Sequence, residues 1–442
     1  MTETIYALAS GKGRAGVAII RISGPETKAV TEALSGQPVP PARLAKRAWI
    51  RDPETQALLD DGLILWFAAP ASYTGEDLVE LHIHGGTAVR NAVFDAIRKL
   101  GKARMAEPGE FTRRAFQNGK MDLTEAEGLI DLIDAETEAQ RLQALQQSRG
   151  ALGTIYMGWA DRLTRILAYY EAEIDFADED LPEDLGQKTR PQLDEICVEI
   201  RSHLDDNRRG ERLREGVHIA IIGPPNAGKS SLLNLLAQRE AAIVSDIAGT
   251  TRDVVEVHLD LRGYPVIVSD TAGLRETDDV IEQEGVRRAL ARAEEADLII
   301  LVVDVSKPEE ASATLDEFGK KADLVILNKA DQTNKVDDGF LGDGRFAVSV
   351  KSGDGIGALL SSVGEMVESR FGLKEAPAIT RQRHREALQE CLGHIERSFD
   401  AYEVVLAAED LRLAVRALGR ITGRVDVEDL LDVIFKDFCI GK

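Results

Sequence analysis

Gly223-Pro-Pro-Asn-Ala-Gly-Lys-Ser230 is the stretch of sequence that decides the fold. It matches the pattern G-x-x-x-x-G-K-[ST], in which backbone N–H groups surround phosphate oxygens and the lysine reaches the β- and γ-phosphates. The apolar run Val217–Ile222 precedes this loop, and the helix-like run Ser231–Ala237 follows it. A strand, a glycine-rich loop and a helix in this order predict a nucleotide-binding α/β domain of the P-loop type.

Three elements further along the chain predict guanine as the base. Asp270-Thr-Ala-Gly273 follows a strand-like run, so that Asp270 can hold Mg²⁺ through water and the Gly273 N–H can reach the γ-phosphate. Asn328-Lys-Ala-Asp331 resembles the NKxD element of GTPases, in which Asp331 would accept hydrogen bonds from guanine N1 and N2. Adenine lacks that pair of donors. Ser349-Val-Lys351 resembles the loop that closes over guanine O6.

A fifth element, Gly249-Thr-Thr-Arg-Asp253, supplies a switch threonine. Thr251 would complete the Mg²⁺ shell with Ser230 when the γ-phosphate is present. Five elements in this order predict a GTPase, with Lys229 as a catalytic cation. The predicted GTP-binding residues are Asn226, Ala227, Gly228, Lys229, Ser230, Ser231, Ser245, Asp246, Ile247, Ala248, Gly249, Thr250, Thr251, Asp270, Thr271, Ala272, Gly273, Asn328, Lys329, Asp331, Ser349, Val350 and Lys351.

One position departs from the Ras-like pattern. Leu274 stands directly after the DxxG element, where Ras-like enzymes carry a glutamine that orients the attacking water. An aliphatic side chain cannot hold that water. We therefore expect another group to place it and another positive charge to replace an arginine finger.

The composition of the 442 residues, 44% hydrophobic and 29% charged, is that of a multidomain globular chain. The net charge of −22 disfavours nucleic-acid binding over the whole surface, because phosphate would be repelled. Residues 1–118 carry +2, residues 216–370 carry −11, and residues 119–215 with 371–442 carry −13. We therefore expect any RNA contact to be local, and the uneven charge indicates separate modules.

Residues 1–118 are expected to form an α+β domain, because Val17–Ile22, Gly62–Phe67 and Leu78–Ile83 read as strands and Thr87–Leu100 as a helix. The next tracts are helical. They run from Met121 to Gln147, from Gly150 to Ile174, and onward from Pro191.

Between residues 216 and 370, buried strand-like runs alternate with helices, which predicts a mostly parallel, doubly wound sheet. The chain from 371 to 442 is helical again. We therefore expect a Ras-like α/β P-loop GTPase domain (216–370) inserted in an all-α helical domain (119–215 and 371–442), preceded by the α+β domain (1–118).

Cysteines and histidines suggest no metal centre or disulfide framework. Cys197, Cys391 and Cys439 are far apart, which favours a reducing, cytoplasmic location. His82 and His84 share one face of a strand but lack a partner at metal spacing, so a structural or ligand-lining role is expected. No apolar run approaches the length of a transmembrane helix.

The chain resembles a known family over essentially its full length. The P-loop, Asp246-Ile-Ala-Gly-Thr-Thr-Arg-Asp253 and Asp270-Thr-Ala-Gly-Leu-Arg-Glu276 are similar to the TrmE-Era-EngA class of GTPases, and the flanking sequence resembles the MnmE (TrmE) family within it. The flanking stretches that carry the resemblance are Gly16-Val-Ala-Ile-Ile-Arg-Ile-Ser-Gly24, Tyr73-Thr-Gly-Glu-Asp77, Pro108-Gly-Glu-Phe-Thr-Arg-Arg-Ala-Phe116 and Phe438-Cys-Ile-Gly-Lys442.

This resemblance implies a tRNA-modifying GTPase. The family acts with the flavoprotein MnmG to add a carboxymethylaminomethyl group at C5 of the wobble uridine. It implies a homodimer formed through the N-terminal domain, a heterotetramer with MnmG, and a one-carbon unit from 5-formyl- or methylene-tetrahydrofolate. The implied folate-binding residues are Arg21, Glu80, Lys120 and Lys442. Cys439 is a further candidate for covalent catalysis, although no activating base stands beside it in the sequence.

The resemblance also implies activation by K⁺, which would occupy the position of an arginine finger when two G domains meet. The implied K⁺ ligands are Asn226, Ser245, Ile247 and Thr250, whose neutral oxygens suit a large monovalent ion. Glu282 matches the family's water-positioning glutamate and is the second predicted catalytic residue. Glu284 is its nearest competitor in sequence.

Two alternatives stay open at the level of sequence. A regulatory GTPase in ribosome assembly, without group-transfer activity, would be expected to carry a basic RNA-binding domain after the G domain. Residues 371–442 carry a net charge of −2 and read as helical, which disfavours it. A folate-binding regulatory module in which the GTPase serves only as a timer is the third hypothesis.

Overall fold

A computed structural model describes most of the chain. The described residues are 3–11, 13–175, 185–239, 241–243, 256–270, 296–333, 342, 344–374, 376–425, 431, 434–436, 438 and 440–441, without the side chains of 185–188 and 270. The chain forms two compact units. One comprises 1–130, 153–160 and 416–442, and the other comprises 131–152 and 161–415.

The first unit is built around a sheet near the N-terminus. Its strands are β1 (Ile5–Leu8), β2 (Ala15–Ser23), β3 (Ala45–Arg51), β4 (Leu58–Phe67), β5 (Leu78–Gly85) and β6 (Arg104–Met105). They lie in the order β3-β4-β5-β2-β1-β6, and neighbours are antiparallel except for the pair β1–β6. The three strands predicted in this region are confirmed as β2, β4 and β5.

Buried and exposed side chains alternate along β2, which shows which face of this sheet α1 and α2 cover. Ile20 and Ile22 are fully buried in a core with residues of α1 (Thr27–Ser35) and α2 (Thr87–Lys99), while Val17 on the opposite face is 56% exposed. Near β1, Phe111 of α3 (Glu110–Gln117) packs on that opposite face. The α+β character predicted for this part of the chain is confirmed.

The end of the chain packs into the first unit. Phe435 and Phe438 share a buried cluster with Leu123 and Ala126 of α4 (Leu123–Asp134). Ile440 forms an antiparallel bridge with Pro108. The C-terminal residues are therefore held beside the N-terminal sheet.

The second unit contains a second sheet. Its strands are β7 (Val217–Ile222), β8 (Glu256–Leu261), β9 (Tyr264–Asp270), β10 (Leu298–Asp304), β11 (Leu324–Asn328) and β12 (Arg345–Ala347). They lie in the order β12-β11-β10-β7-β9-β8, all parallel except the pair β8–β9. The predicted doubly wound sheet is confirmed, and this strand order is that of a P-loop GTPase fold.

The remaining helices of the described residues lie before, within and after the stretch of chain that forms this sheet. They are α5 (Glu138–Ser148), α6 (Ala151–Asp175), α7 (Leu185–Leu204), α8 (Arg209–Glu215), α9 (Lys229–Ala237), α10 (Pro308–Phe318), α11 (Ile356–Phe371), α12 (Gln382–Asp400) and α13 (Val404–Thr422). Helices α7 and α12, which precede and follow the sheet in sequence, pack against each other. Among the described residues, no helix has the length and hydropathy that a membrane span requires.

Two helical predictions need correction. The tract from Met121 to Gln147 is two helices, because Thr137 caps α5 and begins a new helix. Helix α7 begins at Leu185, before Pro191 rather than after it. Pro191 has no backbone N–H to donate, so this helix continues through it with one hydrogen bond fewer.

Candidate functional site

The P-loop runs from the end of β7 to the start of α9, and two of its glycines have no room for a side chain. Gly223 has φ +145°, and a Cβ there would lie 2.2 Å from the Val302 carbonyl oxygen. Gly228 has φ +105°, and a Cβ there would lie 2.1 Å from Asn328 Nδ2. The sequence pattern therefore reflects close backbone packing as well as a left-handed conformation.

Lys229 lies over the loop that it follows. The side chain is buried, and Nζ donates hydrogen bonds to the carbonyl oxygens of Gly223 at 2.9 Å and Pro224 at 3.0 Å. Lys229 and Ser230 are the first two residues of α9, where the helix dipole and free N–H groups favour an anion. The structure thus places an ammonium and a helix N-terminus together at the loop.

Asn328 connects three of the predicted elements. Its side chain is 3% exposed; Nδ2 donates to the Ala227 carbonyl oxygen at 2.7 Å, and Oδ1 accepts from the Val350 N–H at 3.2 Å. The P-loop, the NKxD element and the Ser349–Lys351 loop therefore meet at one buried amide. Amide hydrogen bonds in such a buried position fix the relative placement of the loops.

Lys329 and Asp331 follow the end of β11. Lys329 adopts φ +62° and begins a short 3₁₀ helix, Ala330–Gln332, on which Asp331 is exposed. Lys329 Nζ lies 2.5 Å from Asp304 Oδ2. Sequence analysis missed Asp304, although an acidic residue that ends a buried strand next to the NKxD strand was a visible signal.

Asp270 ends β9, and its backbone pairs in register with Ile221, immediately before the P-loop. Ser349 is buried, and its Oγ accepts a hydrogen bond from the Ser352 N–H at 3.2 Å. Asn226, Ala227 and Lys351 lie in the same loops, and Ser231 lies in the first turn of α9. The structure therefore brings together the described part of the predicted GTP site.

The other predicted residues of this site lie outside the described residues. They are Ser245, Asp246, Ile247, Ala248, Gly249, Thr250, Thr251, Thr271, Ala272, Gly273, Leu274, Glu282 and Glu284. Their roles in binding Mg²⁺, K⁺ and water stay predictions.

A second candidate site lies on the N-terminal sheet around Arg21. Arg21 and Glu80 are directly opposite on β2 and β5, and Arg21 donates to Glu80 Oε1 from Nη2 at 2.9 Å and from Nε at 3.2 Å. The Arg21 guanidinium lies 5.2 Å from the Tyr73 ring centre and 5.7 Å from that of Phe111. Aromatic rings beside a guanidinium hold it by cation–π attraction and limit its movement.

Both the C-terminus and the loop around residue 73 reach this second site. Arg21 Nη1 donates to the Gly441 carbonyl oxygen at 3.3 Å. Lys120 Nζ donates to the Pro70 carbonyl oxygen at 3.0 Å, and its methylene groups pass next to Gly75. The predicted folate residues Arg21, Glu80 and Lys120 are thus described, whereas Lys442 and Cys439 lie outside the described residues.

A buried ion network supports the loop that carries Tyr73, and sequence analysis missed its roles. Arg114 has a side chain that is 5% exposed and donates to Glu76 Oε2 at 3.0 Å and to Glu110 Oε1 at 2.9 Å. Glu76 also accepts from Ser23 Oγ at 2.8 Å. Burial opposes ionisation of Glu110, but hydrogen bonds from Arg104, the Glu107 N–H and Arg114 keep its pKa below the ordinary value.

The two histidines of β5 lie on the face of Arg21. His82 Nε2 is 3.5 Å from Glu80 Oε2, and His84 Nδ1 is 2.8 Å from Asp60 Oδ1. Across the described residues, no group of three or more potential metal ligands was found. His82 therefore lines the second site beside Glu80.

Cys197 and Cys391 are buried free thiols within the described residues. Burial raises the pKa of Cys197 to about 11, and that of Cys391 lies still higher for the same reason. Both thiols therefore stay protonated near neutral pH, which makes them poor nucleophiles.

Two family models match this chain. A family model described as the GTP-binding protein TrmE N-terminus matches residues 4–120, and one described as the MnmE helical domain matches residues 123–439. Among solved structures, the G domain of the T. maritima FeoB iron transporter is 28% identical and covers 34% of this chain and 97% of that chain. Its TM-score of 0.27 is too low to support a conclusion about the fold.

Curated relatives match over the full length. The tRNA modification GTPase MnmE of Parvibaculum lavamentivorans is 58% identical over 100% of both chains. Proteins of the same name from Paramagnetospirillum magneticum and Caulobacter vibrioides are 54% and 51% identical, again over 100% of both chains. The resemblance seen in the sequence is confirmed, and this chain belongs to the MnmE family.

Proposed function

We propose that this chain is a GTP-hydrolysing enzyme of tRNA modification. The observation that carries the proposal is the Asn328 side chain, which joins the P-loop, the NKxD element and the Ser349–Lys351 loop through two hydrogen bonds. A buried connection between a phosphate-binding loop and a guanine-type specificity element supports a GTP site. Full-length relatives named tRNA modification GTPase supply the substrate class.

The described residues fit Mg²⁺ and the triphosphate. Ser230, at the start of α9, offers a hydroxyl ligand, and the register of Asp270 with Ile221 brings a second oxygen-bearing residue beside the loop. The bound ion would neutralise charge on the β- and γ-phosphates. Lys229 would exchange its two carbonyl contacts for phosphate oxygens, because an anion attracts the ammonium more strongly than neutral carbonyl groups do.

We propose Glu282 as the residue that positions the attacking water, because Leu274 cannot do so. Asn226, Ser245, Ile247 and Thr250 are proposed to hold K⁺. In this arrangement the ion supplies the charge that an arginine finger supplies in other GTPases. Asn226, the described member of the set, adopts φ +61° in the P-loop next to Ala227.

The Arg21 site is proposed to bind a tetrahydrofolate derivative, either 5-formyl- or methylene-tetrahydrofolate. Its donor set fits that ligand: Glu80 offers a carboxylate acceptor for the pterin edge, and Lys120 offers a cation for the glutamate tail. Tyr73 and Phe111 add flat apolar surfaces. Lys442 is proposed to join them, and Cys439 is proposed as a further reactive group.

A homodimer is proposed from the exposed part of the Arg21 face of the N-terminal sheet, over β3 and β4. Ile19, His82, Leu63 and Arg47 form one row across β2, β5, β4 and β3, and Leu63 is 42% exposed. Trp49 on the same face of β3 is 52% exposed. Clustered exposed apolar side chains of this kind are typical of a protein interface.

We further propose that the homodimer joins MnmG in a heterotetramer and adds a carboxymethylaminomethyl group at C5 of the wobble uridine. The G domain (216–370) is proposed to be inserted in a helical domain made of residues 119–215 and 371–442, after a folate-binding domain (1–118). The packing of α7 on α12 supports this insertion. A cytoplasmic location is proposed with the tRNA substrate.

The test is nucleotide turnover by the purified full chain in K⁺ and in Na⁺. We expect GTP hydrolysis to require Mg²⁺, to exceed ATP hydrolysis, and to be faster in K⁺. Equal turnover of GTP and ATP would contradict the GTP site. Equal rates in the two salts would contradict the potassium mechanism alone.

A further inference from the structure

The proposed guanine site contains a cation, Lys329, close in sequence to Asp331, the carboxylate that would bind the base. Lys329 and Asp331 are two residues apart, so the ammonium of Lys329 is the cation nearest in sequence to the carboxylate that must receive guanine. An ammonium bound to that carboxylate would compete with the N1–H and N2–H₂ donors of the base. Selective guanine binding therefore requires that Lys329 be held elsewhere.

The structure shows where Lys329 is held. Its Nζ lies 2.5 Å from Asp304 Oδ2, in a pair whose side chains are 29% and 11% exposed. The backbone places the partners, because Asp304 at the end of β10 is in register with Asn328 at the end of β11. Asp331 is exposed, and no ion pair joins it to any residue that the structure describes.

Asp304 is fixed on both of its oxygens. Oδ2 faces Lys329, while Oδ1 accepts from the Ser306 N–H at 3.0 Å and from Ser306 Oγ at 2.5 Å. Burial opposes ionisation of Asp304, but the hydrogen bonds from Lys329 and Ser306 hold its pKa below the ordinary value. The carboxylate is therefore charged at neutral pH and cannot rotate away from the ammonium without losing contacts.

We propose that Asp304 is a specificity-determining positioning residue that keeps the Lys329 ammonium away from Asp331 and so leaves the Asp331 carboxylate open to guanine. Asp304 makes no contact with the base itself. It acts through Lys329, whose ammonium it holds at 2.5 Å. The inference rests on the proposed GTP site and deepens it.

The test compares the affinity of the full chain for GDP and IDP, since inosine lacks the 2-amino donor that guanine gives to Asp331. In Asp304→Asn, which keeps the shape and the Ser306 contacts but loses the charge, we expect GDP affinity to fall about tenfold and the GDP-to-IDP affinity ratio about fivefold. Loosened packing alone would lower the affinities for GDP and IDP by the same factor. An unchanged ratio would therefore overturn the proposal.

Asp323→Asn is the matched control. Asp323 immediately precedes β11, at the opposite end of that strand from Asn328, and its carboxylate accepts from Arg370 at 2.7 Å and from the Ile299 N–H at 2.8 Å. The substitution removes one charge from an ion pair of the same domain, and we expect the affinity ratio to stay at the wild-type value. A drop equal to that of Asp304→Asn would assign the effect to net charge and overturn the proposal.

Two further variants separate positioning from folding. Asp304→Glu keeps the charge and is expected to retain more of the ratio than Asp304→Asn, even if both variants are less stable. In a Lys329→Met background, Asp304→Asn should change the ratio no further, because the residue acts through Lys329. A second fivefold drop in that background would overturn the proposal.

The wild-type chain distinguishes this inference from the proposed function. A wild type that binds GDP no better than ADP would overturn both together. A wild type that prefers GDP, combined with a variant whose ratio is unchanged, would overturn the role of Asp304 alone.

Discussion

Gly228 shows at the residue scale how a sequence motif encodes packing. The P-loop pattern requires glycine there, and the structure adds a reason that the pattern alone does not give: the Asn328 amide occupies the space of a side chain. The sequence identified Gly228 and Asn328 separately, as parts of two motifs. Their contact depends on the ends of β7 and β11, which lie on either side of β10 in the sheet, and Asn328 donates to the carbonyl oxygen of Ala227, 101 positions earlier in the chain.

The first prediction concerns Gly228→Ala. A methyl group 2.1 Å from Asn328 Nδ2, at φ +105°, must displace the amide that joins the three loops. We expect GDP affinity to fall at least about a hundredfold, with the fold retained, measured by titration with a fluorescent GDP analogue. The control is Gly357→Ala on α11, where a Cβ meets nothing within 4 Å, and we expect unchanged affinity. Equal losses in both variants would contradict this reading.

The second prediction concerns Glu80→Gln at the Arg21 site. Removing the charge weakens the two hydrogen bonds that orient Arg21 and removes the proposed acceptor for the pterin edge. We expect 5-formyl-tetrahydrofolate binding, measured by calorimetry, to weaken about tenfold or more. Asp61→Asn breaks the exposed pair with Arg47 on the same sheet and should have little effect. Wild-type affinity in Glu80→Gln would argue against a folate site at Arg21.

At the scale of elements, the sequence predicted strands best where both patterning and burial were strong. The sequences that form β2, β5, β7 and β10 are almost continuously apolar on at least one face of the strand. Strand β3 (Ala-Lys-Arg-Ala-Trp-Ile-Arg) was not predicted. It is an edge strand in which only Ala48 and Ile50 are buried in the core, so its apolar pattern is weak. Pairing with β4 rather than its own composition makes it a strand.

The boundary between α4 and α5 has a signal in the sequence, although it was not predicted. Thr137 and Gln140 form a capping box, with the Thr137 side chain accepting from the Gln140 N–H and the Gln140 side chain accepting from the Thr137 N–H. The pattern T-x-x-Q signals a helix start. Helix-forming residues on both sides obscured it when only periodicity was considered.

The third prediction tests how α5 holds α8, the helix that leads into β7. Gln143 is buried, and its Nε2 donates to the Gly210 carbonyl oxygen at 2.9 Å. Gln143→Leu removes this hydrogen bond between the two helices, which costs about 0.5–1.5 kcal/mol. We expect faster amide hydrogen exchange in α8, measured by mass spectrometry.

Arg141→Gln, on the same helix, is the control for this prediction. It breaks the exposed pair with Glu138 and should leave exchange in α8 unchanged. Unaltered exchange in Gln143→Leu would show that the contact does not support α8.

At the scale of the whole molecule, the fourth prediction concerns self-association. Leu63 lies on the exposed part of the Arg21 face of the N-terminal sheet, and a charge there would have to be desolvated in an interface. We expect Leu63→Glu to shift the chain from dimer to monomer in analytical ultracentrifugation. Val198→Glu, at a position of α7 that is 62% exposed, should remain a dimer. A dimeric Leu63→Glu would place the interface elsewhere.

The distribution of charge fits a protein that contacts tRNA locally. The N-terminal part is near neutral, while the GTPase and helical parts carry the acidity that makes up the net −22. Polyanionic RNA is repelled by such surfaces. We therefore expect a basic partner to contribute much of the phosphate binding.

We propose that this chain hydrolyses GTP and takes part in modifying the wobble uridine of tRNA. The most direct measurement is mass spectrometry of tRNA nucleosides from a strain in which the gene is deleted and then restored as wild type or as Lys229→Ala. We predict that C5-carboxymethylaminomethyl uridine is lost on deletion, restored by the wild type, and not restored by Lys229→Ala. Unchanged wobble modification in the deletion strain would contradict the account.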